Sequence, residues 1–261
     1  MYTKKKIQAG DLVIETLYPS FHKWDAPEAR RWKRGLRSKA NRAKNDKTAR
    51  RRALLYLAHN FRPDRASVAT FTFSDQWQPR SYQEVSGRME FYLRKLRIRA
   101  RKRDGEPLKY LYVIEHRHGE GRFHVHMVWN IPMGEKAAAL ALWPYGTRNN
   151  QEMKPLERDA SGGVTWEALA AYLTKEAQED RPVGAYMWHK SRNVVFPKEE
   201  TEQVPDSYVL RRRLPRAAFV LEHEEQDRPA TGGRYEYVMY RLPVQKMGQQ
   251  SGKKRQKPRR K

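Results

Sequence analysis

The sequence contains no cysteine, which removes several classes of site at once. Disulfide bridges, thiolate zinc sites and cysteine nucleophiles are all excluded. Long apolar runs are also missing, because no segment approaches the about 18 apolar residues that a membrane-spanning helix needs. The N-terminal MYTKKKIQAGDLVIETLYPSF has no apolar run long enough for a signal peptide. We therefore expect a cytoplasmic protein without a membrane partner.

Acidic residues are the other shortage. The chain has 30 Asp and Glu residues against 54 Lys and Arg residues, which gives a formal net charge of +24. A field of this sign attracts polyanions, and nucleic acid is the commonest of them. An anionic membrane is a competing interpretation, but no long Lys-rich amphipathic stretch with an aromatic face stands out. A basic surface that serves only solubility is the third interpretation.

The order of strand-like and helix-like segments predicts the fold class. Alternating or apolar runs predict strands, and apolar residues at helical spacing predict amphipathic helices. The predicted strands are DLVIETLY near the N-terminus, 66–74, 108–116, 122–131, AYMWH, RNVVF and 232–243. The predicted helices are 26–61, with a break at Gly35 or Asn45, and 80–102, 134–143 and 166–179. This order predicts an α+β fold with a split βαβ, ferredoxin-like central antiparallel sheet and helices packed on it.

With 261 residues, the chain is long enough for one large domain or for one domain with appendages. We predict an N-terminal strand and basic helical arm over 1–61 and a catalytic domain over 62–197. Residues 198–245 form a C-terminal extension, either a separate module or late strands of the same domain. The tail 246–261 is rich in basic residues and lacks core formers, which predicts disorder and weak binding to polyanions.

The stretch YLYVIEHRHGEGRFHVHMVWNI, residues 110–131, holds four of the eight histidines of the chain. If its turn spans 118–121, Glu115 lies opposite His124 in a hairpin. Residues two apart on a strand share a face, so His124 and His126 point the same way and Glu115 joins them across the ladder. The other face carries an apolar set that we expect to face the core: Phe123, Val125, Met127 and Trp129.

Two imidazoles and a carboxylate on one face predict a site for a single divalent cation. Nitrogen and oxygen ligands without sulfur suit Mn²⁺, Mg²⁺ or Zn²⁺, and the HExxH helix of many zinc hydrolases is absent. Because a bound phosphate would supply the oxygen ligands that Mg²⁺ prefers, Mg²⁺ or Mn²⁺ is the expected cofactor. The alternative is a pair of structural histidines beside a surface glutamate.

Tyr172 lies off the apolar stripe of the predicted helix 166–179. That stripe consists of Trp166, Leu169, Ala170, Leu173 and Ala177. At 100° per residue, Tyr172 falls about 120° from the centre of the stripe. Lys175 and Glu176 are its neighbours on the same flank. A phenol is a weak nucleophile at neutral pH, and Lys175 could make its hydroxyl more acidic or could hold a phosphate. The alternative is an exposed tyrosine with incidental neighbours.

Together these segments resemble the HUH endonucleases. FHVHMVW resembles their histidine–hydrophobe–histidine signature, YLTK at 172–175 their Tyr-x-x-Lys motif, and VATFTF at 68–73 the strand of their first motif. WPYG at 143–146, SRN at 191–193 and SKANRAKNDKTARRRALLYLAHNF are similar to segments of rolling-circle replication initiators (Rep proteins) of bacteriophages and plasmids. The resemblance covers roughly residues 36–197.

The resemblance implies an HUH-type α+β fold and a role for each matching residue. It implies Glu115, His124 and His126 as metal ligands, Tyr172 as the nucleophile and Lys175 as its assistant. The reaction implied is nicking of single-stranded DNA through a 5′-phosphotyrosine, which releases a 3′-OH that can prime a polymerase. Glu176 and Glu179 stand where some initiators have a second tyrosine, so a single-tyrosine enzyme of a bacterial host cell is implied.

The expected partner is single-stranded DNA or an origin hairpin, with a host helicase and polymerase acting on the product. Basic side chains should grip the phosphates, while Trp143 and Tyr145 are candidates for stacking on bases or for the core. The predicted DNA-binding residues are Arg30, Arg31, Arg34, Arg37, Arg42, Arg50, Arg51 and Arg122. A single-tyrosine transposase with the same site and a non-enzymatic nucleic-acid-binding protein are the alternative functions.

Overall fold

The computed structural model describes residues 1–20, 39–101, 106–116, 121–146, 152–159, 163–174, 186–228 and 233–243, with the side chains of 39–45, Arg101, Glu152 and Arg228 left out. Over these residues the chain forms two antiparallel five-stranded sheets and four helices. The α+β class expected from the sequence is confirmed, and the architecture is consistent with an HUH-type fold. Within the described ranges, no helix is long and apolar enough to cross a membrane.

The sheet that we call the central sheet has the strand order β6-β3-β5-β4-β7. Strand β5 is antiparallel to both β3 and β4 and lies between them, while α2 connects β3 to β4. This is the split βαβ arrangement that the order of segments predicts. The bounds are β3 (Ser67–Thr72), α2 (Tyr82–Arg101), β4 (Tyr110–Glu115), β5 (His124–Trp129), β6 (Glu152–Pro155) and β7 (His189–Lys190).

The central sheet buries one face against α2 and α3 (Lys136–Leu140). The apolar positions of α2 recur at helical spacing and are buried, as are the four residues predicted to form the core-facing side of the hairpin. The packed residues are Val85, Met89, Tyr92, Leu93 and Leu96 from α2 with Phe123, Val125, Met127 and Trp129 from the hairpin. Because period 2 sends alternate residues to the opposite face, the histidines are left on the other side of the sheet.

The second sheet, which we call the terminal sheet, joins both ends of the described chain in the order β8-β1-β2-β10-β9. Its bounds are β1 (Tyr2–Ala9), β2 (Leu12–Pro19), β8 (Glu199–Val204), β9 (Phe219–Arg228) and β10 (Gly233–Arg241). Only β2 and β10 were expected. Gly10 turns β1 into β2 with a positive φ of 64°, a backbone conformation that glycine adopts at little cost.

Helix α1 (Lys39–Asn60) lies between the two sheets, with α4 (Trp166–Leu173) beside it. The apolar end of α1 contributes Leu54, Leu55 and Leu57 to a core that includes Ile7 and Leu12 of the terminal sheet. Leu111, Val113 and Val128 of the central sheet complete that core. The layer containing α1 and α4 therefore covers the face of the central sheet that carries the histidines.

Two local predictions were wrong. Helix α1 continues through Asn45, because a single asparagine in a run of good helix formers costs too little to break it. Residues 192–196 form no strand, and the short edge strand β7 ends at Lys190 instead. The proposed division at 61, 197 and 245 stays a prediction, and both Gly35 and the tail 246–261 lie outside the described residues.

Candidate active site

The register of β4 and β5 places three polar side chains on the face opposite α2. Glu115 is paired with His124, as the sequence predicts, and His126 is paired with Val113 on β4 and with Thr70 on β3. The adjacent α1–α4 layer then faces these side chains. The hairpin therefore supplies the polar cluster, and the register rather than any special turn geometry brings it together.

Glu115 and His126 form a buried pair. The Oε2 atom of Glu115 lies 2.5 Å from Nε2 of His126, and each residue is only 6% exposed. A buried carboxylate is costly unless it is paired or hydrogen-bonded, so the imidazole is what makes Glu115 tolerable in this place. The contact runs diagonally across the ladder, since the residue directly opposite Glu115 is His124.

The second ring nitrogen of His126 faces two hydroxyl groups. Its Nδ1 atom lies 3.1 Å from Oγ1 of Thr70 and 3.5 Å from the hydroxyl of Tyr172. The two rings meet edge-on, with centroids 5.1 Å apart and an interplanar angle of 72°. Glu115, His126 and Tyr172 therefore form a continuous chain of contacts from the buried sheet to α4.

Tyr172 is 43% exposed, whereas Trp166, Ala170 and Leu173 of the same helix are buried. Its predicted position off the apolar stripe is confirmed. The side chain thus has one edge on His126 and the other in solvent. A substrate arriving from solvent can reach the phenol, while the imidazole holds it at the sheet.

The predicted third metal ligand does not join this pair. Among the described residues, no three His, Cys, Asp or Glu side chains form a group that could hold a metal ion. His124 shares the face of His126 and is partly exposed, but it completes no such group. The Nε2–Oε2 contact offers one nitrogen and one oxygen donor, the kinds of atom that bind Mg²⁺ or Mn²⁺.

Three of the predicted DNA-binding arginines have described side chains, and all three make contacts within the protein. Arg50 donates from Nε to Thr174 Oγ1 at 3.1 Å, just after α4. Arg51 lies 3.0 Å from Glu222 and 3.9 Å from the ring centroid of Tyr237. Arg122 donates to the Phe73 carbonyl oxygen at 3.0 Å and pairs with Asp75 at 2.5 Å. Their role in DNA binding stays a prediction.

The other proposed contacts fall largely outside what the structure describes. Lys175 and the arginines at 30, 31, 34 and 37 lie outside the described residues, as does the side chain of Arg42 in α1. Trp143 is buried in the core beneath the central sheet, and Tyr145 packs against that core. These two rings therefore belong to the hydrophobic packing, and only the partly buried Tyr145 keeps an exposed edge.

Thr70 is a member of the cluster that the sequence did not single out. Its strand VATFTF alternates, so Val68, Thr70 and Thr72 share one face while the phenylalanines occupy the other. That alternation was visible and could have assigned Thr70 to the histidine face. Pairing with His126 could not be seen, because 56 residues separate the two in sequence.

Comparison with known protein families gives one result. Residues 66–179 match the model of a family described as replication-associated protein, of the ORF2 type. The matched region begins just before β3 and includes the hairpin and α4, so it contains every member of the cluster. The match is consistent with a replication initiator of the Rep type. No curated protein and no solved structure matches the chain significantly.

Proposed function

We propose that this protein is an HUH-type nickase that cuts single-stranded DNA at an origin to initiate rolling-circle replication. The observation that carries the proposal is the 3.5 Å approach of the Tyr172 hydroxyl to His126, which is itself paired with Glu115. The family match adds that this region is of a replication-associated kind. The net charge of +24 favours a polyanionic substrate.

The chemistry is a transesterification at phosphorus. The phenolic oxygen of Tyr172 attacks the scissile phosphorus and gives up its proton, while the bond from phosphorus to the 3′ oxygen breaks. The leaving oxygen takes up a proton and becomes a free 3′-OH, and the 5′-phosphate stays on Tyr172. One phosphoester bond replaces another, so no ATP is consumed and the same site can reseal the strand.

The protein's own side chains position the nucleophile. Nδ1 of His126 and the Thr70 hydroxyl lie together beneath the phenol, and Glu115 fixes the imidazole from its other nitrogen. A nucleophile held in place before the substrate arrives needs less ordering in the transition state. The half-exposed Tyr172 ring lets a single strand approach from solvent.

A divalent cation, Mg²⁺ or Mn²⁺, completes the proposal. Glu115 and His126 would hold it through the facing Oε2 and Nε2 atoms, with His124 added by a change of its side-chain torsion. Such an ion makes phosphorus more electrophilic by binding a non-bridging oxygen. The donor atoms fit this class of ion, and phosphate oxygens of the DNA would fill the remaining positions.

The test is covalent capture. Incubation with single-stranded origin oligonucleotides and Mn²⁺ should give a protein–DNA adduct that resists SDS, and mass spectrometry should place the nucleotide on Tyr172. An adduct that persists in Tyr172→Phe would refute the assignment. A random single-stranded pool replaces the origin where the origin is unknown.

His126→Ala separates chemistry from binding. The variant should lose cleavage, because the phenol loses its support and the cation a ligand. Its affinity for single-stranded DNA should change by less than about threefold, because phosphate contacts from basic residues dominate that affinity. Parallel loss of binding and cleavage would show that His126 serves the fold instead of the reaction.

A further inference from the structure

A cleft of about 260 Å³ opens beside Tyr172, between α4 and the β3–β6 edge of the central sheet. Its apolar walls are Val68, Pro155, Val164 and Leu169. Exposed polar side chains, Lys154 and Glu157, also line it. The cleft is outside the Glu115–His126 pair, and nothing in the proposed chemistry uses it.

The size and lining of the cleft restrict what it can bind. Pockets for drug-sized ligands have about 300–1,000 Å³, so a cleft of 260 Å³ suits one flat ring system better than a whole nucleotide. Apolar walls favour the faces of such a ring, and a few polar groups suit its edge. A nucleobase has both features, since its faces stack on apolar or aromatic side chains and its edge forms hydrogen bonds.

The position of the cleft connects it to the nucleophile. Thr70 and Tyr172 line the cleft and also make the contacts to Nδ1 of His126. A phosphate within reach of the Tyr172 hydroxyl is therefore next to the cleft, and consecutive bases and phosphates of one strand lie side by side. The base attached to a neighbouring sugar is the part of the substrate that can enter.

We propose that this cleft binds one base adjoining the phosphate that Tyr172 attacks, and so selects the nick site. The inference rests on the function proposed above. Lys154 brings hydrogen-bond donors and Glu157 acceptors to the base edge, so the cleft can discriminate among bases as well as accept one. Rejection of a base that leaves such polar groups unpaired is worth at least about tenfold in rate.

Ala168 offers a direct way to fill the cleft. It is exposed on α4 and lines the cleft, so Ala168→Phe should occupy the space without disturbing the core. Ala137→Phe is the matched control, because Ala137 is an exposed alanine of α3 and does not line the cleft. Equal thermal stability of the two variants would show that each folds normally.

The experiment sequences the ends cut from a random single-stranded DNA pool with Mn²⁺. Wild type and Ala137→Phe should show a preference of at least about tenfold for one base at a position adjoining the cut. Ala168→Phe should lose that preference and cut the preferred sequence at least about tenfold more slowly. An abasic site at the same position should slow wild type by a similar factor and Ala168→Phe no further. Unchanged preference in Ala168→Phe would overturn the proposal.

Photo-cross-linking distinguishes failure of the cleft from failure of the nucleophile. Oligonucleotides carrying 5-iodouracil at single positions are irradiated with the protein, and mass spectrometry locates the attached residue. Attachment at Pro155, Leu169 or their cleft neighbours without any covalent Tyr172 adduct would keep the cleft and refute the nicking function. An adduct on Tyr172 without cleft attachment and without base preference would refute the cleft alone, and absence of all three would refute both.

Discussion

The two sheets use the same residue types for different ends. The terminal sheet contains Glu236, a fully buried carboxylate that accepts hydrogen bonds from the backbone N–H groups of Leu210 and Arg211 at 3.0 and 3.1 Å. The central sheet contains Glu115, also buried, but its carboxylate meets the imidazole of His126. A carboxylate satisfied by backbone donors holds a loop, whereas one satisfied by a titratable side chain also sets the state of that side chain.

The tyrosines differ in the same way. Tyr240 of the terminal sheet is buried, and its hydroxyl donates to Glu15 at 3.4 Å. Tyr172 lies on a helix, contacts His126 and keeps 43% of its surface exposed. Residue type therefore does not mark the site. What distinguishes the central sheet is a buried acid–imidazole pair that ends on a hydroxyl accessible to a substrate.

The largest expected difference is between Tyr172→Phe and Tyr240→Phe. Loss of the nucleophile should lower adduct formation by at least about 10⁴-fold, because no other group replaces the attacking oxygen. Stability should change by less than about 0.5 kcal/mol, as for most exposed positions. Tyr240→Phe should keep activity and lose about 1 kcal/mol of stability with its hydrogen bond. Adduct gels and thermal melts measure both effects, and a Tyr240→Phe variant that is inactive but fully stable would contradict the comparison.

The two buried carboxylates give the next largest effect. Glu115→Gln should lower the nicking rate by about 10²–10³-fold, since the amide neither holds the imidazole as a carboxylate does nor binds a cation well. Glu236→Gln should leave the rate unchanged and cost about 1–3 kcal/mol of stability, because an amide places a donor against a backbone N–H. Nicking rates and urea midpoints for both variants test this. Similar rate losses in the two would mean that Glu115 has no special role.

The division between predictable and unpredictable features follows range along the chain. The hairpin faces, the register of Glu115 with His124 and the exposure of Tyr172 all follow from local periodicity. The terminal sheet escaped because it joins strands about 200 residues apart, and β8, EETEQV, has almost no buried residue to show a pattern. No local rule specifies that an edge strand so polar will pair with β1.

Within the site, proximity of Tyr172 to His126 came from the family resemblance and not from periodicity. Nothing in the spacing of two segments 46 residues apart fixes the layer in which the later helix packs. The diagonal reach of Glu115 to His126 was also out of range of the sequence, because it depends on side-chain torsions. Strand alternation assigns a side chain to a face but leaves its partner on that face open.

A smaller effect is expected from the threonine beside His126. Thr70→Val removes the hydroxyl 3.1 Å from Nδ1 while keeping the shape of the side chain, so the imidazole loses one of its restraints. The nicking rate should fall by about tenfold or less, which corresponds to one ordinary hydrogen bond. Thr3→Val in the terminal sheet, which removes a 2.7 Å contact with Ser20, should leave the rate unchanged. Equal rates for wild type and Thr70→Val would exclude a positioning role for Thr70.

The smallest effect concerns the terminal sheet in alkali. Burial, reinforced by the nearby Glu15 carboxylate, raises the pKa of Tyr240 to about 12. The unfolded chain has a tyrosine pKa of about 10, so between these values the unfolded state has released a proton that the native state still binds. Stability should therefore be fully present below pH 10 and should fall as the pH rises toward 12. Because other buried tyrosines, such as Tyr237, also have raised pKa values, Tyr240→Phe should reduce this loss only in part. Urea midpoints of wild type and Tyr240→Phe from pH 9 to 12 measure the difference, and parallel curves would show that Tyr240 does not carry its share. Tyr172→Phe is the control that should follow wild type, since its ring is 43% exposed and belongs to the other sheet's site.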